Sequence, residues 1–377
     1  MPTVLLAGAF GQRNPGDEAL LHAFRLALPD WRCIATTSRP DSSVLEHGCD
    51  TVRPDDPVGI ARSLRQADAV VFAGGTVFKV LGPHSGRAPH DLLRKAVAVA
   101  FAAKALRRPL GLVGVGAGSL PDFQAQMLAR QLVQRADLLV LRDEESARTL
   151  AGIGAAAPYR VGADPAWTIF TGGAPPTGER NGAIVALSAL ALGPGDLDRL
   201  VLGLRAVRDT GLDLRLQPWQ VGGSIWDDMD VARLVAARLG GVQILPPPVD
   251  LIEARDSFAA AQVVVGLRFH SLMAAAAART PFVAVRHEQK LAALARRFQQ
   301  PAIEPGAAPQ AWTAAISAAL RLVPSDAIAE QEIETSRHGL LLLRLVLERG
   351  RGAAPDLPGL RLEPDPAALA LVHAARS

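Results

Sequence analysis

The chain has 377 residues, of which 49% are hydrophobic and 20% charged. At roughly 150 residues per domain that length predicts two domains, and the composition excludes a disordered chain, a coiled coil and a small disulfide scaffold. A formal charge of +3 with 5% aromatic residues gives no nucleic-acid footprint.

The N-terminus opens on an apolar stretch, 4–10, without a basic leader, and the polar Gln12-Arg13-Asn14 follows at once. It reads as a first strand, not a signal peptide, and so predicts a cytoplasmic protein. The longest apolar run, 96–103, is eight residues, where a bilayer needs about 20. No stable membrane insertion is expected, which leaves peripheral contact open. Cys33 and Cys49 are the two cysteines. They are too few for a zinc site and are expected as free thiols in a reducing compartment.

Short β-type runs alternate with longer Ala/Leu/Arg-rich segments. Strands are predicted at 4–9, 33–37, 69–73, 110–115, 138–141 and 159–161. Helices are predicted at 18–28, 59–66, 91–106, 123–135 and 144–151. Several strands are nearly continuous in apolar residues, as strands covered on both faces are. This βαβα order predicts a parallel sheet. Gly, Pro and Thr dominate 171–178, the best linker candidate. The alternation then restarts, without a sequence repeat. Strands are expected at 183–188, 212–216, 242–245, 262–265 and 282–285, with helices at 194–210, 229–239, 251–260, 271–279 and 289–298. The predicted organisation is an N-terminal domain over 1–172, a second over 180–325 and a helical tail over 326–377. The tail holds a helix at 328–348, a Gly/Pro-rich segment at 350–366 and an apolar end at 367–375.

Ligands of doubly wound sheets bind outside the carboxyl ends of the strands, so the residues following each strand matter most. After the first come Gly8, Gly11, Asn14, Gly16, Asp17 and Glu18. Their spacing is neither a dinucleotide fingerprint nor a Walker loop. It suits an anion at a helix start, or a plain glycine turn with two acids favouring the helix N-terminus. Gly74-Gly75 and the Gly114–Gly118 segment, with Gly116, put two more glycine turns on the same edge. Arg142 ends the fifth strand and either reaches a cleft or pairs with Asp143 or Glu145. Asp164 is a cleft carboxylate or the start of an Asp-Pro turn. Arg268 and His270 end a buried strand two residues apart. In extended backbone they would face one side, near the positive end of the helix beginning about Ser271. They form a functional pair or a structural one. Lys290 closes the Arg286–Lys290 segment after the last strand, a solvated loop in its plain reading.

Taken in order, Gly8–Glu18, Gly74-Gly75, Gly114–Gly118, Arg142–Ser146, Ala163–Ala166 and Gly266–His270 resemble the polysaccharide pyruvyl transferase family. The sequence departs from the family pattern at Thr76, Lys79 and His287-Glu288-Gln289. The resemblance implies a GT-B-like fold, two Rossmann-like doubly wound domains facing across a cleft. It implies transfer of the enolpyruvyl unit of phosphoenolpyruvate onto a sugar of a glycan or lipid-linked precursor, usually as a pyruvate ketal. Arg142, Arg268 and His270 then correspond to donor-site residues. His270 is the expected general acid, and Asp17, Glu18 or Asp164 the base. Glycines 8, 11, 16, 74, 75 and 116, with Asn14, Asp164 and Lys290, are expected to line substrate. No cofactor or metal is expected. A nucleotide-sugar glycosyltransferase and a non-catalytic member of the fold are the alternatives.

Overall fold

A computed structural model describes residues 1–39, 47–82, 85–155, 157–171, 178–193, 195–222 and 227–349. The predicted linker at 171–178 falls almost wholly outside these, as do the segments predicted at 350–366 and 367–375. The chain groups into two compact units. Of the described residues, unit 1 takes those within 1–12, 20–168 and 332–349, and unit 2 those within 13–19 and 169–331.

The first stretch of chain forms β1 (Thr3–Phe10), α1 (Pro15–Ala27), β2 (Arg32–Thr37), β3 (Asp50–Val52), α2 (Pro57–Gln66), β4 (Ala69–Ala73) and β5 (Thr76–Phe78). There follow α3 (Asp91–Ala105), β6 (Leu110–Ala117), α4 (Phe123–Val133), β7 (Leu138–Leu141), α5 (Glu144–Gly152), β8 (Arg160–Val161) and a 3₁₀ helix at Pro165–Thr171. The strands are parallel, in the order β3-β2-β1-β4-β6-β7-β8, with β5 pairing β6 beside this path. Leu5, Val70, Leu112 and Leu139 share a core with Leu64, Leu93 and Leu128 of the covering helices. Cys33 and Cys49 precede the register pair Ile34–Asp50 and are buried free thiols.

The second stretch forms β9 (Ala183–Ala186), α6 (Asp196–Arg208), β10 (Leu214–Gln217), α7 (Asp228–Leu239), β11 (Gln243–Ile244), α8 (Leu251–Ala259) and β12 (Val263–Gly266). It continues through α9 (Phe269–Ala277), β13 (Phe282–Val285), α10 (Gln289–Arg297), β14 (Ala302–Ile303), α11 (Pro309–Ala319) and α12 (Asp326–Arg349). Its parallel order is β11-β10-β9-β12-β13-β14. Both sheets thus have the Rossmann order, with the chain reversing direction across the sheet between β1 and β4 and between β9 and β12. Every residue of β4, β9, β12 and β13 is buried, which is why these strands read as unbroken apolar runs.

Five helices begin earlier than predicted, α1 by three residues and α2, α7, α9 and α12 by one or two. α1 starts at Pro15, not Glu18, and α9 at Phe269, not Ser271. The early start of α1 has a local cause. The Asn14 carbonyl accepts from the Asp17 and Glu18 amides, and its side-chain oxygen accepts from Gly16 N–H at 3.2 Å. Asn14 is therefore the cap, and Pro15 takes the first helical position, where its missing N–H costs nothing. The short strands β3, β5 and β14, and the helix α11, were not predicted. α11 packs on α6 through a gap at Gly203, where a Cβ would lie 2.5 Å from the Trp312 ring. α12 closes the described chain, and its residues from Glu332 on group with unit 1. There Ser336 Oγ donates to the Asp164 carbonyl at 2.8 Å. None of the helices is long and apolar enough to cross a membrane among the described residues.

Candidate functional site

In unit 2 the reversal between β9 and β12 opens the carboxyl edge to the residues that follow those strands. Arg268 follows β12 in extended backbone (φ −114°, ψ 137°) and precedes the first turn of α9. Its Nη2 donates to both carboxylate oxygens of Asp228, each at 2.8 Å. Asp228 is 1% exposed and begins α7. It also accepts from Ala189 N–H at 2.7 Å, Gln220 N–H at 2.8 Å and Trp219 N–H at 3.2 Å. One buried carboxylate thus ties the loops after β9, β10 and β12 to the start of α7. It satisfies the rule that a buried charge needs several partners. His270 stands in the first turn of α9, so only Arg268 of the pair is extended, and the expected side-by-side strand geometry does not occur.

The first turn of α1 belongs to the same unit. Gly16 abuts His270: a Cβ on Gly16 would overlap the imidazole at Nδ1. Asn14 Nδ2 donates to Asp17 Oδ2 at 2.7 Å. Burial pushes the Asp17 carboxyl above the usual range, although the charges of His270, Lys290 and Arg268 and the Asn14 amide pull it down. Asp17, His270, Lys290 and Arg268 therefore share one electrostatic neighbourhood.

The direction of that shift gives a pH prediction. A raised carboxyl pKa means that the folded state holds the proton more tightly than the unfolded chain does. Ionised Asp17 therefore costs stability, and the cost grows as pH rises past the ordinary value of 3.8. Asp17→Asn removes it. The variant should melt above the wild type at neutral pH, and this advantage should vanish at about pH 3.5, below both pKa values. Melting curves at the two pH values test this; a variant that melts lower at neutral pH would refute it.

Lys290 pairs with Glu288 Oε2 at 2.6 Å and lies 5.9 Å over the Phe269 ring. The preceding His287 corrects the reading of 286–290 as a solvated loop. Its Nε2 donates to the Leu267 carbonyl at 2.9 Å, fixing the chain just before Arg268. Burial lowers the His287 pKa against the opposing pull of Glu288 and the Leu267 bond, so the neutral ring is favoured. Arg286 alone of this segment's cations faces solvent, paired with Glu304 at 2.8 Å.

Unit 1 carries the remaining candidates. Arg142 follows β7 with a side chain 4% exposed, and its Nε donates to Asp143 Oδ2 at 2.9 Å. The alternative of an ion pair with Asp143 is thus realised. Asp143 in turn caps α5, accepting from the Ser146 N–H and Oγ at 2.7 Å each, and Ser146 Oγ accepts from Ala117 N–H at 2.9 Å. Burial alone would raise the Asp143 carboxyl; the Arg142 charge and the Ser146 donors outweigh it and hold the group below the usual range. A Cβ on Gly116 would overlap the Arg142 guanidinium.

The other glycines have varied surroundings. Gly74 and Gly75 both take positive φ (70° and 72°), which permits the turn into β5. The Gly75 carbonyl accepts from Gly116 N–H at 2.7 Å, so the two glycine turns bind each other. The Gly8 N–H donates to Thr36 Oγ1, which donates back to the Gly8 carbonyl, both at 2.9 Å, so both backbone groups are already used. Gly11 is buried with φ 72°. Asp164 is 2% exposed, and its Oδ1 accepts from Ala166 N–H at 3.0 Å. It heads the 3₁₀ helix, the turn alternative of its two readings. Glu18 is half-buried in the first turn of α1. Asp17, one of the three carboxylates named as bases, stands in the field of His270.

Solved structures similar to this one include the UDP-GlcNAc 2-epimerase from Methanocaldococcus jannaschii, at TM-score 0.62 and 10% identity, covering 91% of this chain and 99% of that one. MurG from Acinetobacter baumannii has TM-score 0.52 and 14% identity over 91% of this chain and 99% of its own. Anabaena HepE in complex with UDP-glucose has TM-score 0.56 and 13% identity over 100% of this chain and 98% of its own. At such identities these likenesses establish a GT-B-like α/β fold. No curated relative matches the sequence. The sequence profile for polysaccharide pyruvyl transferases matches residues 14–289. That span runs from the cap of α1 to the start of α10 and takes in Asp17, Arg142, Asp228, Arg268 and His270, and the chain belongs to the polysaccharide pyruvyl transferase family.

Proposed function

We propose that the chain transfers the enolpyruvyl unit of phosphoenolpyruvate to a sugar of a cell-surface glycan precursor in the cytoplasm, releasing phosphate and leaving a pyruvate ketal. The observation that supports this most is the clustering of Arg268, His270, Asp17 and Lys290 in unit 2, with Arg268 held by the buried Asp228. Phosphoenolpyruvate carries a carboxylate and a phosphate, and a guanidinium fork matches either group.

The roles follow from the chemistry. His270, as imidazolium, gives a proton to the methylene carbon of the donor, leaving the central carbon cationic, as a positioned general acid does. A sugar hydroxyl attacks that carbon, and Asp17 accepts its proton. The raised carboxyl pKa makes Asp17 a stronger base than an ordinary aspartate. A second hydroxyl of the same sugar then forms the second C–O bond as the C–O bond to phosphate breaks, and its proton leaves with the phosphate.

Transfer from a nucleotide sugar is the second reading, because HepE was solved with UDP-glucose. The two readings separate on one experiment. Ligand at 100 times its dissociation constant stabilises by about 2.7 kcal/mol, a melting shift of a few degrees. The full chain is melted with phosphoenolpyruvate and with UDP-glucose, alongside Arg268→Lys, which keeps a cation for Asp228 but loses the fork. A shift with phosphoenolpyruvate that is lost in Arg268→Lys is expected. A shift with UDP-glucose alone would overturn the donor assignment.

A further inference from the structure

Four non-glycine residues take left-handed backbone among the described residues: Arg13 (φ 54°), Arg107 (55°), Arg279 (56°) and Gln299 (55°). Three of them have an ordinary reason. Arg107, Arg279 and Gln299 each stand one residue past a helix C-cap, after Leu106, Ala278 and Phe298, where left-handed backbone ends a helix. Arg13 is different. It lies before a helix, one residue ahead of the cap Asn14. That conformation costs a non-glycine residue about 1–2 kcal/mol, and such strain concentrates at binding and catalytic positions.

The strained backbone delivers the Arg13 side chain to the carboxyl edge of sheet 2. A Cβ on Gly222 would lie 3.0 Å from Arg13 Nη1. Gly222 lies between β10 and α7, in a stretch anchored at its described residues. The Trp219 and Gln220 amides donate to Asp228, and Gly222 N–H donates to Asp227 Oδ2 at 2.6 Å. Asp228 is the carboxylate that also holds Arg268. Arg13 and Arg268 are therefore set against the same framework.

The charges around that framework point to what Arg13 does. Arg268 is matched by Asp228, and Lys290 by Glu288. The Asp17 carboxylate offsets the imidazolium that the proposed function assigns to His270. Without another cation, the fixed charges of the cluster carry no positive excess for a polyanionic donor. Arg13 is exposed, and no carboxylate pairs with it among the described residues. It supplies the unmatched charge.

We propose that Arg13 is a second anion-binding arginine of unit 2, contacting a phosphate group of the ligand that Arg268 holds. The identity of that ligand as phosphoenolpyruvate rests on the proposed function. The test uses Arg13→Gly, because glycine takes left-handed backbone freely. The apo variant should melt at or above the wild-type temperature, while its affinity for phosphoenolpyruvate falls at least about tenfold, the worth of one charged hydrogen bond. Arg13→Lys should recover part of the loss. Affinities are read from melting shifts of the full chain titrated with phosphoenolpyruvate and, in parallel, UDP. If the wild type and Arg13→Gly bind phosphoenolpyruvate equally, the role of Arg13 is overturned and the donor reading stands. If the wild type binds UDP instead, the donor reading falls, and the loss or retention of UDP affinity in Arg13→Gly decides the role of Arg13. Binding of neither ligand by the wild type overturns both.

Discussion

Asp228→Ala is expected to destabilise the protein by about 3–5 kcal/mol, the cost of leaving one member of a buried ion pair without its partner. The variant strands the Arg268 guanidinium and removes the acceptor from three amides, those of Ala189, Trp219 and Gln220. The four contacts converge on a side chain that water hardly reaches, so solvent cannot replace them. Asp228→Asn divides the effect. Its amide oxygen still accepts from backbone N–H groups, but its charge is gone, and Arg268 is left uncompensated. Urea unfolding of both variants checks the expectation. An Asp228→Ala midpoint within about 1 kcal/mol of the wild type would show that the hub is not structural. In the Asn variant, which should lose less stability, phosphoenolpyruvate binding should weaken with the loosened guanidinium.

Gly16→Ala is the second large effect, and it falls on turnover more than on folding. Gly16 lies in the first turn of α1, where alanine is the better helix former by up to about 1 kcal/mol. Its added methyl would overlap His270 at Nδ1, so the imidazole must shift to admit it. A displacement of about 1 Å in a reacting group can cost about 10²-fold in rate. The expected result is a kcat lowered about 10²-fold with stability within about 1 kcal/mol of the wild type. A double-mutant cycle assigns the cause. If the methyl acts through the imidazole, Gly16→Ala should add little in a His270→Ala background. An equal further loss there would show that the methyl acts elsewhere.

Much of the fold was legible because the buried parallel strands announce themselves. β4, β7 and β13 were read at their observed limits, each an apolar run closed by a turn or polar residue. The strands that escaped are two or three residues long, too short for any period to show: Asp50–Val52, Thr76–Phe78 and Ala302–Ile303. The late starts given to α1 and α9 came from treating glycine and histidine as loop residues. Asn14 followed by Pro15 was the missed signal, a cap and a first-turn proline side by side.

The candidate site was legible residue by residue but not in its connections. Arg268 and His270 stood out because they end a buried strand. Asp228 did not, because its partners lie 8 to 40 residues away and meet it only once the sheet has formed. The glycines were read as places where backbone meets a ligand. Gly16 and Gly116 instead leave space for a side chain of the protein itself, His270 in one case and Arg142 in the other. No spacing rule reveals that, since the side chain accommodated is remote in sequence.

The packing of α12 bears on the order in which the protein can assemble during synthesis. Leu343 of that helix is fully buried, and Gly111, the second residue of β6, is shaped to it: a Cβ there would lie 2.9 Å from Leu343 Cδ1. Gly339 likewise lies against Val140 of β7, at 3.3 Å by the same measure. A nascent chain that has made all seven strands of the first sheet's main path therefore still lacks part of their cover. It must emerge through the whole of 169–331 before that cover arrives. Domains commonly complete in the order they are translated. Here the second unit has all its described strands before the first has α12, and until then an apolar strip on β6 and β7 lacks its cover.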